Sequence, residues 1–236
     1  ELDDDTRTAL ALASPPLRKV VITAEDLGHL QPLSPTWIGK SEQSELAYET
    51  PIEMAAAHAH ASEKLIRTLN PAVDWAKVLP GTTIVVPDPD RPTARDHAAR
   101  IEIRLSDRIL EAYNGGGALI AFFPVSIGRL AEKRPVGELH VVAIIPNPSY
   151  TFDPDIFPES EEAQTIGHKL TIPPGPKNPV GLAWIGLDRP GYGIHGTPAP
   201  ANVGRSESHG CFRLTNWDAV TLLGLVSQNL PVDVEP

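Results

Sequence analysis

Only one cysteine, Cys211, occurs in the 236 residues, so an internal disulfide is excluded. Long apolar runs are missing as well. Stretches such as residues 118–123 and 141–145 fall far short of the roughly 20 residues that a membrane-spanning helix needs. No run of lysine and arginine offsets the net charge of −10, which excludes a protein that binds nucleic acid by displacing counterions from phosphates. There is no Gly-x-x-x-x-Gly-Lys phosphate loop, no Cys-x-x-Cys metal pair and no internal repeat. The chain starts at Glu1 and not at a methionine, as expected of an exported protein whose leader has been removed. In an exported protein a lone cysteine is a candidate reactive thiol.

What is present points to a folded, turn-rich chain. The length allows one large domain or two small ones. A composition of 41% hydrophobic and 21% charged residues is that of a soluble globular protein. With 25 prolines and 18 glycines, stiff loops and strands are expected more than long helices. Alternating proline and aspartate at 88–92 form a joint between an N-terminal region, 1–92, and a C-terminal domain, 98–236.

In the N-terminal region, Thr50-Pro51-Ile52-Glu53 is a capping box with proline at the first helical position. A second helix starts at Ser62, runs through Leu65, Ile66 and Leu69, and stops at Asn70-Pro71. Pro80-Gly81 then turns the chain into a β-branched strand at 82–86. His58 and His60 are two apart, hence on different helix faces, and read as surface residues. Leu69-Asn70-Pro71 and Pro80-Gly81-Thr82 with Ile84-Val85-Val86-Pro87 resemble the second half of a LysM module, a small glycan-binding fold, over about 43–90. The usual opening strand of that module and its Gly-Asp-Thr turn are absent, and a packing or spacer domain is the other reading.

The C-terminal domain reads as mainly β with short helices, an α+β class. Ile101, Ile103 and Leu105 alternate with charged residues as in a half-buried strand. Ser106-Asp107 turns the chain into 109–113, and Gly115 to Gly117 turn it again into 118–127. Further strand candidates lie at 138–145 and 182–187. The proline-rich 173–179 is a rigid loop. One helix closes the domain, with Thr215 as cap, Asp218 at the third position and Leu214 stapled onto Ala219. Trp217, Val220, Leu223 and Val226 recur at helical spacing and are expected to face the core.

Between these elements, residues 192–214 gather two histidines, two serines, two arginines and Cys211 among glycines and prolines. A core segment would be apolar and periodic. A nucleophilic cysteine needs a base to raise its thiolate fraction and amides aimed at the developing oxyanion. His195, after the 182–187 strand and a Pro-Gly turn, can supply the base, and Gly210 lets the chain bring its amides close to a substrate carbonyl. If the chain is extended, Arg213 shares the face of Cys211 and is placed to bind a carboxylate. Alternatives stand beside this reading. A lone cysteine is commonly a packing residue. His195, His209 and Cys211 are also zinc-type donors, though only three are in evidence. Ser208 is a second nucleophile candidate, with turn hydrogen bonding as its other role.

His195-Gly196-Thr197-Pro198, Gly204 and Ser208-His209-Gly210-Cys211-Phe212-Arg213-Leu214 resemble the signature of the L,D-transpeptidase catalytic domain family, the YkuD-like domain. The likeness continues through 170–181, 190–193 and 214–219, and Phe212 departs from the usual Ile or Val. This resemblance implies a β sandwich or barrel-like catalytic domain. It implies Cys211 as nucleophile, His195 as general base and His209 as a histidine that orients the thiol. Gly210 and Cys211 amides would form the oxyanion hole, with Ser208 in the turn. Arg213, Tyr192, Gly196 and Thr197 would contact substrate. The implied reaction is acyl transfer from a peptidoglycan stem tetrapeptide to an amine, in the periplasm, with no cofactor or metal. Products would be 3-3 cross-links or a protein attached to the wall, serving cell-wall biogenesis and cell shape, and carbapenems would acylate the cysteine. Transfer to water, an L,D-carboxypeptidase activity, and a non-catalytic peptidoglycan-binding protein are the alternatives.

Overall fold

The computed structural model describes residues 16–88, 96–128, 134–156, 160–205 and 210–236. His209, Ser208 and most of the 88–92 joint lie outside the described residues. Among the described residues the helices are α1 (Ala24–Gly28), α2 (Trp37–Ser41), α3 (Pro51–His58), α4 (Glu63–Leu69), α5 (Glu161–Ile166) and α6 (Asn216–Leu223). The strands run from β1 (Leu17–Val21) and β2 (Thr83–Pro87) through β3 (Arg100–Arg104), β4 (Ile109–Tyr113), β5 (Leu119–Pro124) and β6 (Gly137–Pro146). They continue with β7 (Tyr150–Phe152), β8 (Leu170–Ile172), β9 (Ala183–Leu187), β10 (Gly193–His195), β11 (Phe212–Arg213) and β12 (Pro231–Glu235). None of the described helices is long and apolar enough to cross a membrane.

The chain divides into two compact units: Glu1–Leu30 with Thr50–Pro92, and Gln31–Glu49 with Thr93–Pro236. In the first, β1 and β2 pair antiparallel from Leu17↔Pro87 to Val21↔Thr83, with α3 and α4 between them in sequence. Thr50 and Ser62 cap these helices, accepting the N–H groups of Glu53 and Leu65. Asn70 ends α4 and ties it to β2, donating to Val85 O and accepting from Val85 N–H, both at 2.7 Å. β1 is a strand that the sequence reading did not pick out. It escaped notice because four of its five residues are exposed, leaving no apolar alternation to read.

The second unit is built on an eight-stranded sheet of order β11-β10-β9-β6-β12-β3-β4-β5. Only β10–β11 and β12–β3 are parallel pairs. The sheet curls until its two ends meet: Ser126, just past β5, exchanges two 2.9 Å backbone hydrogen bonds with Arg213 of β11. This curl encloses the main core, to which Ile101 and Ile103 contribute from β3 as their alternation predicts, together with Val141, Ile185, Ile194, Phe212 and Leu222. Its mainly β character agrees with the class read from sequence.

Two findings differ from that reading. First, α6 buries Asn216, Ala219 and Leu222, while Val220 is 47% exposed. Of the expected face, Val226 lies in the core and Leu223 packs against it, but Val220 turns outward, because a polar residue, Asn216, occupies the inner stripe. Second, Gln31–Glu49 leaves the first unit and folds with the second. Its Leu46, fully buried, joins Phe152, Ala163, Ile166 and Ile172 in a separate small core. Trp37 of α2 stacks on Phe152 with ring centroids 4.3 Å apart, and its N–H donates to Glu162 of α5. Leu46 N–H donates to Pro174 O, and Lys177 N–H donates to Leu46 O. The segment thus braces the β7–β8 hairpin and the proline-rich loop that follows it.

Candidate active site around Cys211

The local sequence determines which side chains meet. β10 and β11 run parallel with Ile194 opposite Phe212 and His195 opposite Arg213. Side chains alternate across a strand, so Ile194 and Phe212 enter the core while His195 and Arg213 share the other face. Continuing the register back one step sets Cys211 opposite Gly193. On the far side of β10, β9 puts Trp184 opposite His195 and Gly186 opposite Gly193. Trp184, His195, Arg213 and Cys211 therefore lie on one surface. The two glycines form its floor: a Cβ on Gly193 would come within 2.7 Å of the Trp184 ring, and one on Gly186 within 3.1 Å of the indole nitrogen. Trp184 in turn stacks on His195, with centroids 5.5 Å apart and planes 24° apart.

His195 is almost fully buried, and its Nδ1 lies 2.6 Å from Gly196 O. A carbonyl can only accept, so Nδ1 carries the proton and Nε2 keeps its lone pair. Burial holds the imidazole pKa down to about 4, with the Arg213 charge acting in the same direction and the Gly196 carbonyl against it. His195 is therefore a neutral base at pH 7. Cys211, half-buried, donates its thiol proton to Gly191 O at 3.4 Å. Burial pushes the thiol pKa up, partly opposed by the Gly193 N–H and the Arg213 charge. The resting pair is thus thiol plus neutral imidazole, so a reacting thiolate must form by proton transfer.

Arg213 completes this face. Its Nε is buried with no hydrogen-bond partner, and its guanidinium makes no ion pair among the described residues. Its own pKa is lowered by burial. A cation in this state is ready for a ligand carboxylate. Tyr150, from β7, is half-buried and close enough to Cys211 and Arg213 to feel both charges, although burial is the main cause of its raised pKa. Trp37 packs against it at 6.4 Å.

The other expected residues occupy defined places. Tyr192 lies in the β9–β10 turn beneath the Arg189 guanidinium, beside the Gly191 carbonyl that receives the thiol. Gly196 presents the carbonyl to His195 and packs against Asn216. Thr197 is buried, accepts Ala199 N–H, and lines a small cavity with Ser126, Asn202 and Arg213. Gly210 approaches Gly128 so closely that a Cβ on Gly128 would lie 3.1 Å from its Cα. Among the described residues no three His, Cys, Asp or Glu side chains cluster as metal ligands. Sequence reasoning missed Tyr150, Trp184 and Asn216. Trp184-Ile185-Gly186 offered no signal, because Gly186 matters only through its pairing with Gly193.

Residues 98–234 match the family described as the YkuD L,D-transpeptidase catalytic domain. The chain is 26% identical to YkuD of Bacillus licheniformis, classed with the L,D-transpeptidases, over 78% of this chain and 93% of that one. It is 30% identical to YbiS of Escherichia coli K12, named in the same class, over 71% of this chain and 54% of that one. It thus spans about half the length of YbiS. L,D-transpeptidase 1 of Mycobacterium tuberculosis, a solved structure, aligns at 18% identity and a TM-score of 0.40 over 67% of this chain and 68% of that one. The family match spans the curled sheet, the His195 strand and the Cys211 turn together, and the chain belongs to the L,D-transpeptidase catalytic domain family.

Proposed function

We propose that this enzyme is a peptidoglycan L,D-transpeptidase that works through a thioester on Cys211. The observation that carries the reading is the β10–β11 pairing, which aligns His195 with Arg213 and sets Cys211 on the same face, with His195 Nε2 left as the acceptor. Cys211 Sγ attacks the carbonyl of meso-diaminopimelate in a stem tetrapeptide as His195 takes the thiol proton. The C–N bond to D-Ala breaks, His195 returns the proton to the leaving amine, and a thioester remains. Amides at the Gly210–Cys211 turn stabilise the oxyanion. The amine of a second stem then attacks the thioester and gives its proton to His195. The C–S bond breaks, Sγ recovers the proton, and a 3-3 cross-link has formed. Arg213 holds a substrate carboxylate throughout, and His209 orients the thiol.

This substrate implies work in the cell envelope. The two capped helices α3 and α4 followed by β2 in the first unit support a LysM-like wall-binding role, tested by co-sedimentation of the full-length Cys211→Ala protein with purified sacculi. The catalytic reading is tested by incubation with purified tetrapeptide and mass analysis of the products. Cross-linked dimers lacking one D-Ala are expected, absent with Cys211→Ala. Tripeptide alone would make the enzyme a hydrolase, and no product would overturn the reading.

A further inference from the structure

The buried polar residue on α6 has a placement that its helix does not require. Asn216 is 7% exposed. Its Oδ1 accepts Leu182 N–H at 3.1 Å, and its Nδ2 donates to Pro176 O at 3.0 Å. The carboxamide fits a slot made by two glycines: a Cβ on Gly181 would fall 2.0 Å from Oδ1, and one on Gly196 would fall 2.3 Å from it. Gly196 is the residue whose carbonyl accepts the His195 Nδ1 proton. Pro176, at the other end of the tie, is itself held. Its loop is pinned by Leu46 on one side and by Asn178, which donates to Pro173 O at 2.7 Å and accepts Val180 N–H. A side chain tied to a rigid loop can hold its other contact in place.

We propose that Asn216 is a positioning residue for His195: tied to Pro176 and Leu182 and seated against Gly196, it fixes the carbonyl that sets the imidazole's tautomer and direction. Loss of the tie lets the 195–197 backbone turn, so the Gly196 carbonyl no longer holds Nδ1–H and Nε2 no longer holds its aim. The inference rests on the proposed role of His195 as the base. The titratable or charged groups on this surface are Cys211 and Arg213 from the β11 side and Tyr150 from β7, while β9 presents the uncharged Trp184.

The test compares Asn216→Ala and Asn216→Ser with Asn178→Ala, which loosens the same loop without touching Gly196. Acylation by a carbapenem is followed over pH, with a thermal melt for each full-length protein. The Asn216 variants should acylate at least tenfold more slowly at saturating carbapenem, with little change in the half-saturating concentration and with Ser above Ala. Their acid limb should move from about 4 toward the ordinary histidine value of 6.5 as the ring gains water. Asn178→Ala should lose melting temperature and keep its acid limb near 4. Folded Asn216 variants with an unchanged limb and rate, or an equal change in Asn178→Ala, would overturn the inference. If neither Asn216 variant folds, nitrogen-15 NMR of the unaltered protein decides: a proton on His195 Nε2 instead of Nδ1 overturns it. Failure of the unaltered protein to acylate at all would count against the proposed function and not against the tie.

Discussion

Acid should destabilise this protein through one buried histidine before its carboxylates respond. His195 carries a pKa of about 4 in the folded chain against 6.5 in an unfolded one. Between those values the unfolded chain binds a proton that the folded chain refuses, so stability falls as pH falls. The gap is about 2.5 pH units at about 1.4 kcal/mol each, which gives a loss of ~3 kcal/mol, complete just below pH 4. The side chain is 4% exposed, so solvent screening removes little of this. Asp26, Glu111, Asp153 and Asp188 have lowered pKa values and lose their stabilising contacts further into acid, whereas buried Asp218 acts in the opposite sense. A His195→Gln protein keeps these carboxylates and lacks the titrating ring. Urea titrations of the second unit, followed by tryptophan fluorescence from pH 7 to pH 4, should show the unaltered protein losing ~3 kcal/mol more than the variant. Equal losses in the two proteins would refute a neutral, desolvated His195.

Other outcomes follow from the same contacts. Leu46→Ala removes a fully buried side chain from the small core and should cost about 2–5 kcal/mol in urea titration. The loss should fall on the second unit, although residue 46 precedes most of the first unit's helical sequence. Gly193→Ala drives a Cβ to within 2.7 Å of the Trp184 ring and should destabilise by about 1–3 kcal/mol, with slower thiol alkylation. Arg213→Met removes a half-buried cation that has no ion pair among the described residues and should leave the melting temperature unchanged or higher, while the KM for tetrapeptide rises at least tenfold.

The sequence made the reactive end of the site legible and hid its support. Cys211, His195 and Arg213 stood out because histidine, cysteine and arginine among glycines cannot be a core segment, and because a period of two puts residues 211 and 213 on one face. The alternation of Ile101 and Ile103 likewise predicted β3. Misreadings arose where tertiary contacts override local pattern. On α6 the expected apolar stripe yielded to one containing Asn216, whose hydrogen-bond partners, Pro176 and Leu182, lie on the segment that leads into β9. β1 is an exposed ribbon strand with no alternation to detect. Residues 31–49 have no pattern of their own. Trp37 and Leu46 become core residues only by meeting Phe152 and Pro174, more than a hundred positions away. Tyr150 reaches the site through the same brace.

The central claim is that Cys211 is an acylated nucleophile, and the mass of the intact protein after exposure to a carbapenem tests it most directly. One added carbapenem mass on the unaltered protein, absent from Cys211→Ala, is the result this structure predicts. No added mass on the unaltered protein, or the same addition on Cys211→Ala, would contradict it.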